Sequence, residues 1–177
     1  MERQEGGDEG RGMRGSGGIF WGKPAGTYIC SLGGSMIRTK RLNLNRGYMK
    51  LDAWKDAGEL FAFTHRMLDS RPKLDVRLRS QILDSTQSIS SNVAEGYCRR
   101  TIKEYLQYLN VALGSCGESL TRMICLAEVG VVNAEEFERF DDIHYSVENQ
   151  ILGLVRSLQR KRREGDWNEE LPAAWQP

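Results

Sequence analysis

The sequence predicts an all-α fold: an antiparallel up-down-up-down four-helix bundle behind a disordered, glycine-rich N-terminal extension. Three observations carry this. Apolar residues recur at steps of three and four through four separate stretches beyond residue 50. The breaks between them, near residues 70–75, 97–101 and 130–133, are short enough that consecutive helices must run antiparallel. With 177 residues, 40% apolar and 28% charged, the chain has the length and balance of amphipathic helices around one core, not two domains.

Residues 1–48 hold 12 of the 19 glycines, and no apolar period survives that spacing, so the segment cannot offset its ordering entropy. Its eight Lys/Arg and four Asp/Glu give +4, against +1 for the whole chain. One reading is a basic arm for nucleic acid. The favoured one takes Met49 as the true initiator, because Met49-Lys50 opens the ordered pattern abruptly. Removing residues 1–48 is then expected to change stability by less than about 1 kcal/mol.

The bundle is expected over residues 49–163. In its first helix Trp54, Ala57, Phe61, Thr64 and Leu68 form the stripe, widened by Ala53, Leu60 and Met67, and Pro72 stops it near Ser70. The second begins around Asp75, an acceptable cap, with Leu78, Ile82, Ser85, Ile89 and Val93 on its seam. That seam is thin. Ser85, Thr86, Ser88, Ser90, Ser91 and Asn92 all lower helix propensity, so packing must hold the segment helical. Gly96 suits a C-terminal cap, and the alternative is that Ser91 or Asn92 caps a fresh helix.

Thr101-Ile102-Lys103-Glu104 reads as a capping box for the third helix, whose stripe is Leu106, Leu109, Leu113, Cys116, Leu120, Met123 and Ala127, flanked by Tyr105, Ala112 and Ile124, up to Gly130. Asn133-Ala134-Glu135-Glu136 opens the fourth by the same logic. Phe137, Phe140, His144, Val147, Ile151, Leu154 and Leu158 then give the cleanest repeat in the chain. Arg160, Lys161, Arg162 and Arg163 complement the negative end of that helix before Gly165, and residues 164–177 read as a loosely packed tail.

Chemistry has few footholds. Cys30, Cys98, Cys116 and Cys125 include no pair at C-x2-C spacing, His65 stands alone, and His144 falls on an apolar seam where a hydrogen-bonded core histidine is expected. Ser88, Ser91, Asn92 and Glu95 have no histidine placed near them, and no phosphate-binding glycine loop occurs. No catalytic residue, metal, cofactor or small-molecule substrate is expected. Without a run of about 18 apolar residues or a signal-like apolar core, the expectation is a cytoplasmic protein that does not enter membranes.

The run Ser88-Ile89-Ser90-Ser91-Asn92-Val93-Ala94-Glu95-Gly96, then Lys103-Glu104-Tyr105, then Ala112-Leu113-Gly114-Ser115 with Glu118, resembles the four-helix-bundle proteins encoded by 23S rRNA intervening sequences. Trp54, Ala57 and Leu60, Pro72-Lys73, Gln81, and Leu126-Ala127 before Gly130 support it, over about Leu51 to Leu158. The resemblance implies a ring-like homopentamer, similar to the accessory protein of diversity-generating retroelements, which is implicated in nucleic-acid binding. It implies no established molecular function. Cys98 departs from the family, where small or glycine residues are usual.

Two non-catalytic functions follow. The first is an oligomeric scaffold that binds RNA or DNA weakly, with Arg99, Arg100 and Lys103 as phosphate contacts at one bundle end and Arg160, Lys161, Arg162 and Arg163 as a second patch. Residues 49–177 carry 17 Lys/Arg and 20 Asp/Glu, a net −3, so binding must come from such local patches. The second is a protein-interaction module. In both, Ser88, Ser91, Asn92, Glu95 and Gly96 are the candidates for helix packing or an oligomer interface.

Overall fold

The computed structural model describes residues 39, 41, 43–99 and 101–167. Four helices follow in order: α1 (Asp52–Asp69), α2 (Val76–Tyr97), α3 (Ile102–Glu128) and α4 (Ala134–Glu164). Each packs on two neighbours, α1 on α2 and α4, and α3 on α2 and α4, with the α2–α3 contact the most extensive. This is the expected square antiparallel bundle.

The helix starts follow from their caps. Asp75 accepts from the Leu78 amide at 2.9 Å, and Asn133 and Glu136 form a reciprocal capping box. At α3 only half of the expected box forms. The Thr101 hydroxyl oxygen accepts from the Glu104 amide, while its proton goes to the Glu104 carboxylate at 2.7 Å. Gly130 and Gly165 follow α3 and α4 at φ 72° and 69°, left-handed values that glycine adopts without a Cβ penalty.

Gly96 does not cap α2. The helix runs on through Tyr97 to a C-cap at Cys98 in ordinary right-handed geometry, and neither Ser91 nor Asn92 interrupts it. Gly96 is glycine for space: a Cβ there would lie 2.8 Å from a Tyr105 ring carbon, 2.9 Å from Tyr108 Cβ and 3.2 Å from the Tyr105 carbonyl.

The core on α1 and α4 is close to the one the pattern gave. Ala53, Ala57, Leu60, Thr64, Met67 and Leu68 are buried on α1, with Trp54 and Phe61 half-buried at its edge. On α4, Phe140, His144, Val147, Ile151 and Leu158 are buried. His144 Nε2 lies 2.9 Å from the Cys116 carbonyl; a carbonyl only accepts, so Nε2 carries the proton, and the ring stacks on Phe140 with centroids 5.5 Å apart.

On α3 the expected Leu106, Leu109, Cys116 and Met123 are buried, but the buried face extends to serines in place of the rest of the stripe. Ser115 and Ser119 are buried, whereas Leu113, Leu120 and Ala127 are only half-buried and Ile124 is 42% exposed. The reason is the neighbour. α2 presents Ser85, Thr86 and Ser88, and small residues facing small residues let the two helices lie close. The hydroxyls cost little there because they bond their own helices: Ser85 to the Ile82 carbonyl at 2.9 Å, Thr86 to the same carbonyl at 3.1 Å, Ser119 to the Cys116 carbonyl at 3.0 Å. Cys116 is fully buried beside them, and desolvation pushes its thiol up to about 12.

At one end of the bundle the first loop is tied to the third. Arg71 donates to the Met67 carbonyl, to the Val131 carbonyl at 2.6 Å and to the Glu136 carboxylate at 2.5 Å. Burial alone would raise the Glu136 carboxyl, but the Arg71 and Asn133 hydrogen bonds outweigh it and hold it below its ordinary value. Its contribution to stability is therefore complete above the ordinary carboxylate pKa and lost as pH falls through the depressed one.

At the opposite end a 3-10 helix, Leu44–Lys50, precedes α1. The expected extension over residues 1–48 thus ends earlier than the glycine pattern suggested; of it, residues 1–38, 40 and 42 lie outside the described residues. Asn43 accepts from the Arg46 amide at 3.1 Å, and Tyr48 makes edge contacts with Trp54 at 5.3 Å and Tyr97 at 6.3 Å. Gly47 lets this segment lie on Tyr97, since a Cβ would fall 2.0 Å from the Tyr97 hydroxyl. A chain starting at Met49 is accordingly expected to be less stable than one starting at Thr39. Two aromatic contacts at about 0.5–1.5 kcal/mol each set the difference at about 1–3 kcal/mol in urea unfolding. Equal midpoints for the two truncations would show that the 3-10 helix is ornamental.

Candidate nucleic-acid interface

The antiparallel topology decides where the charged stretches meet. The end of α2, the start of α3 and the end of α4 share one end of the bundle with the 3-10 helix, and Trp167 beyond α4 comes within 6.5 Å of Tyr105 on α3, ring to ring. The two basic patches separated by some sixty residues in sequence are therefore one region, and the 3-10 segment adds Arg46 and Lys50 to it.

Not every cation there is free. Arg99 is half-buried, paired with the Glu95 carboxylate, hydrogen-bonded to the Tyr108 hydroxyl at 2.5 Å and stacked over that ring at 4.7 Å. The Tyr108 hydroxyl and then Arg99 hold the Glu95 carboxyl below its ordinary range. Arg99 is thus already satisfied within the chain. Arg100 lies outside the described residues. Lys103, Arg160, Arg162 and Arg163 are exposed and Lys161 half-buried, and none has a carboxylate partner among the described residues; the same holds for Arg46 and Lys50. Three carboxylates at this end are engaged elsewhere, Asp52 by Lys55 at 2.7 Å, Asp56 by the Gln150 amide at 2.6 Å and Glu104 by Thr101, while Glu164 and Asp166, exposed just beyond Arg163, offset part of the basic charge.

The small-residue run on α2 sorts itself by facing. Ser88 accepts from Ser115 across the helix contact at 3.0 Å and from Asn92 at 2.9 Å, and Gly96 is buried against α3. These three serve packing between α2 and α3. Glu95 is exposed and serves Arg99, and Ser91 is exposed, bonded only to the Gln87 carbonyl one turn back at 3.1 Å. Gly96→Leu is expected to cost about 1–3 kcal/mol, the range for forcing extra atoms into a filled contact. An unchanged melting temperature would refute the close approach.

Sequence reasoning missed Arg46, Lys50 and the exposed face of α3. On that face Val111 is 47% exposed, and Gly114 and Gly117 have nothing within 4 Å of where a Cβ would stand. In sequence Gly114 and Gly117, one turn apart, weaken helix propensity but could admit a close neighbour; among the described residues they meet none.

No group of three or more His, Cys, Asp or Glu among the described residues could hold a metal ion, and no described helix is long and apolar enough to cross a membrane. The family model for 23S rRNA-intervening sequence protein matches residues 49–153. A crystal structure of a protein of unknown function from the S23 ribosomal protein family of Bacteroides thetaiotaomicron is similar, at 19% identity and a TM-score of 0.54, covering 58% of this chain and 97% of that one. At that identity the likeness speaks to the fold alone. No curated protein matches the chain.

Proposed function

Because the chain belongs to the 23S rRNA-intervening sequence protein family, we propose that it is a non-catalytic oligomeric scaffold that associates with nucleic acid through one end of its bundle. The observation that carries this reading is that Lys103, the α4 run 160–163 and the 3-10 helix share that end, where their cations form no ion pair among the described residues and outnumber the exposed Glu164 and Asp166. Unpaired exposed cations engage phosphates by releasing counterions, and the contacts position a backbone without reading bases. Titration of the full chain with single-stranded and duplex RNA over a range of salt tests it. Each engaged phosphate contributes about −0.7 to the log-log slope on a single strand, so the slope counts the contacts. No retention even at low salt would leave the interaction-module reading instead.

The proposed assembly is a homopentamer. In its support, Gly114 and Gly117 each cost α3 about 1 kcal/mol relative to alanine and relieve no contact among the described residues, a cost that a close neighbouring copy would explain. A ring would repeat the basic end five times on one side and add weak contacts by avidity. Gly114→Trp, at a position where a Cβ meets no described atom within 4 Å, is expected to shift the species seen by light scattering to lower mass while helicity is kept. Wild type running as a monomer at micromolar concentration would end the proposal.

A further inference from the structure

Where the 3-10 helix crosses the end of α2 it borders a half-open hollow of about 340 Å³, lined by Asn43, Leu44, Arg46, Gly47, Lys50 and Tyr97. Its walls are chiefly carbon, and its charged side chains are both cations. The Arg46 guanidinium is held by the Arg41 carbonyl at 2.8 Å and Thr39 at 3.3 Å through a single nitrogen, which fixes its fork and leaves other donors open. The Lys50 ammonium, the Asn43 side-chain amide hydrogens and the Tyr97 hydroxyl have no partner among the described residues, while Asn43 spends its oxygen on the Arg46 amide. No carboxylate of the described residues lines the space.

A half-open hollow with carbon walls, two cations and free donors at its rim suits an anion that carries a flat, weakly polar group. The volume is at the low end for small-molecule sites, of order 300–1,000 Å³, and suits a single mononucleotide. The close approach that makes the hollow uses Gly47, because a Cβ there would fall 2.0 Å from the Tyr97 hydroxyl, so that the ring or the 3-10 helix would have to shift. The geometry points to a nucleoside monophosphate site in this cavity, with the phosphate at Arg46 and Lys50 and the base against Leu44, Gly47 and Tyr97. It rests on the nucleic-acid reading above and narrows it, since only a free nucleotide or an unpaired strand end fits.

Calorimetric titration of the full chain with AMP and UMP tests it. Each is expected to bind saturably, once per chain, at least about tenfold tighter than adenosine or inorganic phosphate alone, because each fragment forfeits one half of the site. Arg46→Gln with Lys50→Gln should weaken binding by about tenfold or more at an unchanged melting temperature; Lys50→Gln alone, which removes no bond within the chain, should weaken it in the same direction even if the pair perturbs the segment. Single-stranded RNA with and without a 5′-phosphate separates the sources. A preference for the phosphorylated strand assigns the site to a strand end, and indifference with AMP still bound assigns it to free nucleotide. Absence of saturable AMP and UMP binding, or binding unchanged in both variants, overturns the site. If RNA is still retained in that case, the scaffold reading survives without it; if neither binds, both fall.

Discussion

Phe140→Ala is expected to remove about 3–5 kcal/mol of folding stability, the range for truncating a large aromatic in a closed core. Phe140 is fully buried and is the largest such side chain among the described residues. Its ring also stacks on His144, one turn along α4, and His144 in turn is bonded to the Cys116 carbonyl of α3. Alanine would leave a void beside a histidine whose position depends on that stack, so the loss combines transfer, cavity and orientation terms. Against a total of about 5–15 kcal/mol for a domain, this is about a fifth or more of what holds the monomer together. Urea unfolding followed by circular dichroism measures it, with Tyr145→Ala as control: Tyr145 is 66% exposed on the same helix and should move the midpoint by less than about 0.5 kcal/mol. A Phe140→Ala loss no greater than the control's would mean the core is not where the structure puts it.

Reversing Lys103, Arg160, Arg162 and Arg163 to glutamate is expected to abolish retention of RNA at low salt. Four reversals per chain change the local charge by eight, and in a ring of five copies the whole basic side changes sign. The design needs a second arm, because glutamate near the C-terminus of α4 also opposes the helix dipole at about 0.3–1 kcal/mol per position. The same four positions changed to glutamine remove the attraction without that repulsion. Glutamine should leave the melting temperature within a few degrees and flatten the salt slope, while glutamate should eliminate binding outright. Reversing Arg99 should do less to binding than to local order, because its charge is already matched by Glu95 and its plane lies on Tyr108. Retention that survives the four reversals would move the interface away from this end.

Much of the fold was legible because helices announce themselves locally. The steps of three and four in α1 and α4, the Asp75 and Asn133 caps and the Gly130 and Gly165 stops each rest on residues within a turn or two of one another. Short loops then left one topology. What misled was glycine in two places. Gly96 looked like a stop because αL geometry is the commonest reason for glycine after a helix, whereas here the reason is the Tyr105 ring of the next helix. Gly47 looked like more of a structureless extension, whereas it is the point at which a short helix lies on Tyr97.

The sequence by itself determined the four helices, their order, the apolar seam of α4 and the presence of two basic stretches, because periodicity, capping and charge are properties of neighbours along the chain. Only the tertiary structure decided that α3 buries Ser115 and Ser119 more deeply than Leu113 and Leu120, that Arg99 is matched by Glu95 and Tyr108, that Lys103 and residues 160–163 share one end, and that residues 43–50 border a hollow there. The physical reason is common to all four. Which face of a helix is buried, and which charge is left unpaired, depends on the shape and chemistry of what lies across the contact, and that partner is dozens of residues away in sequence.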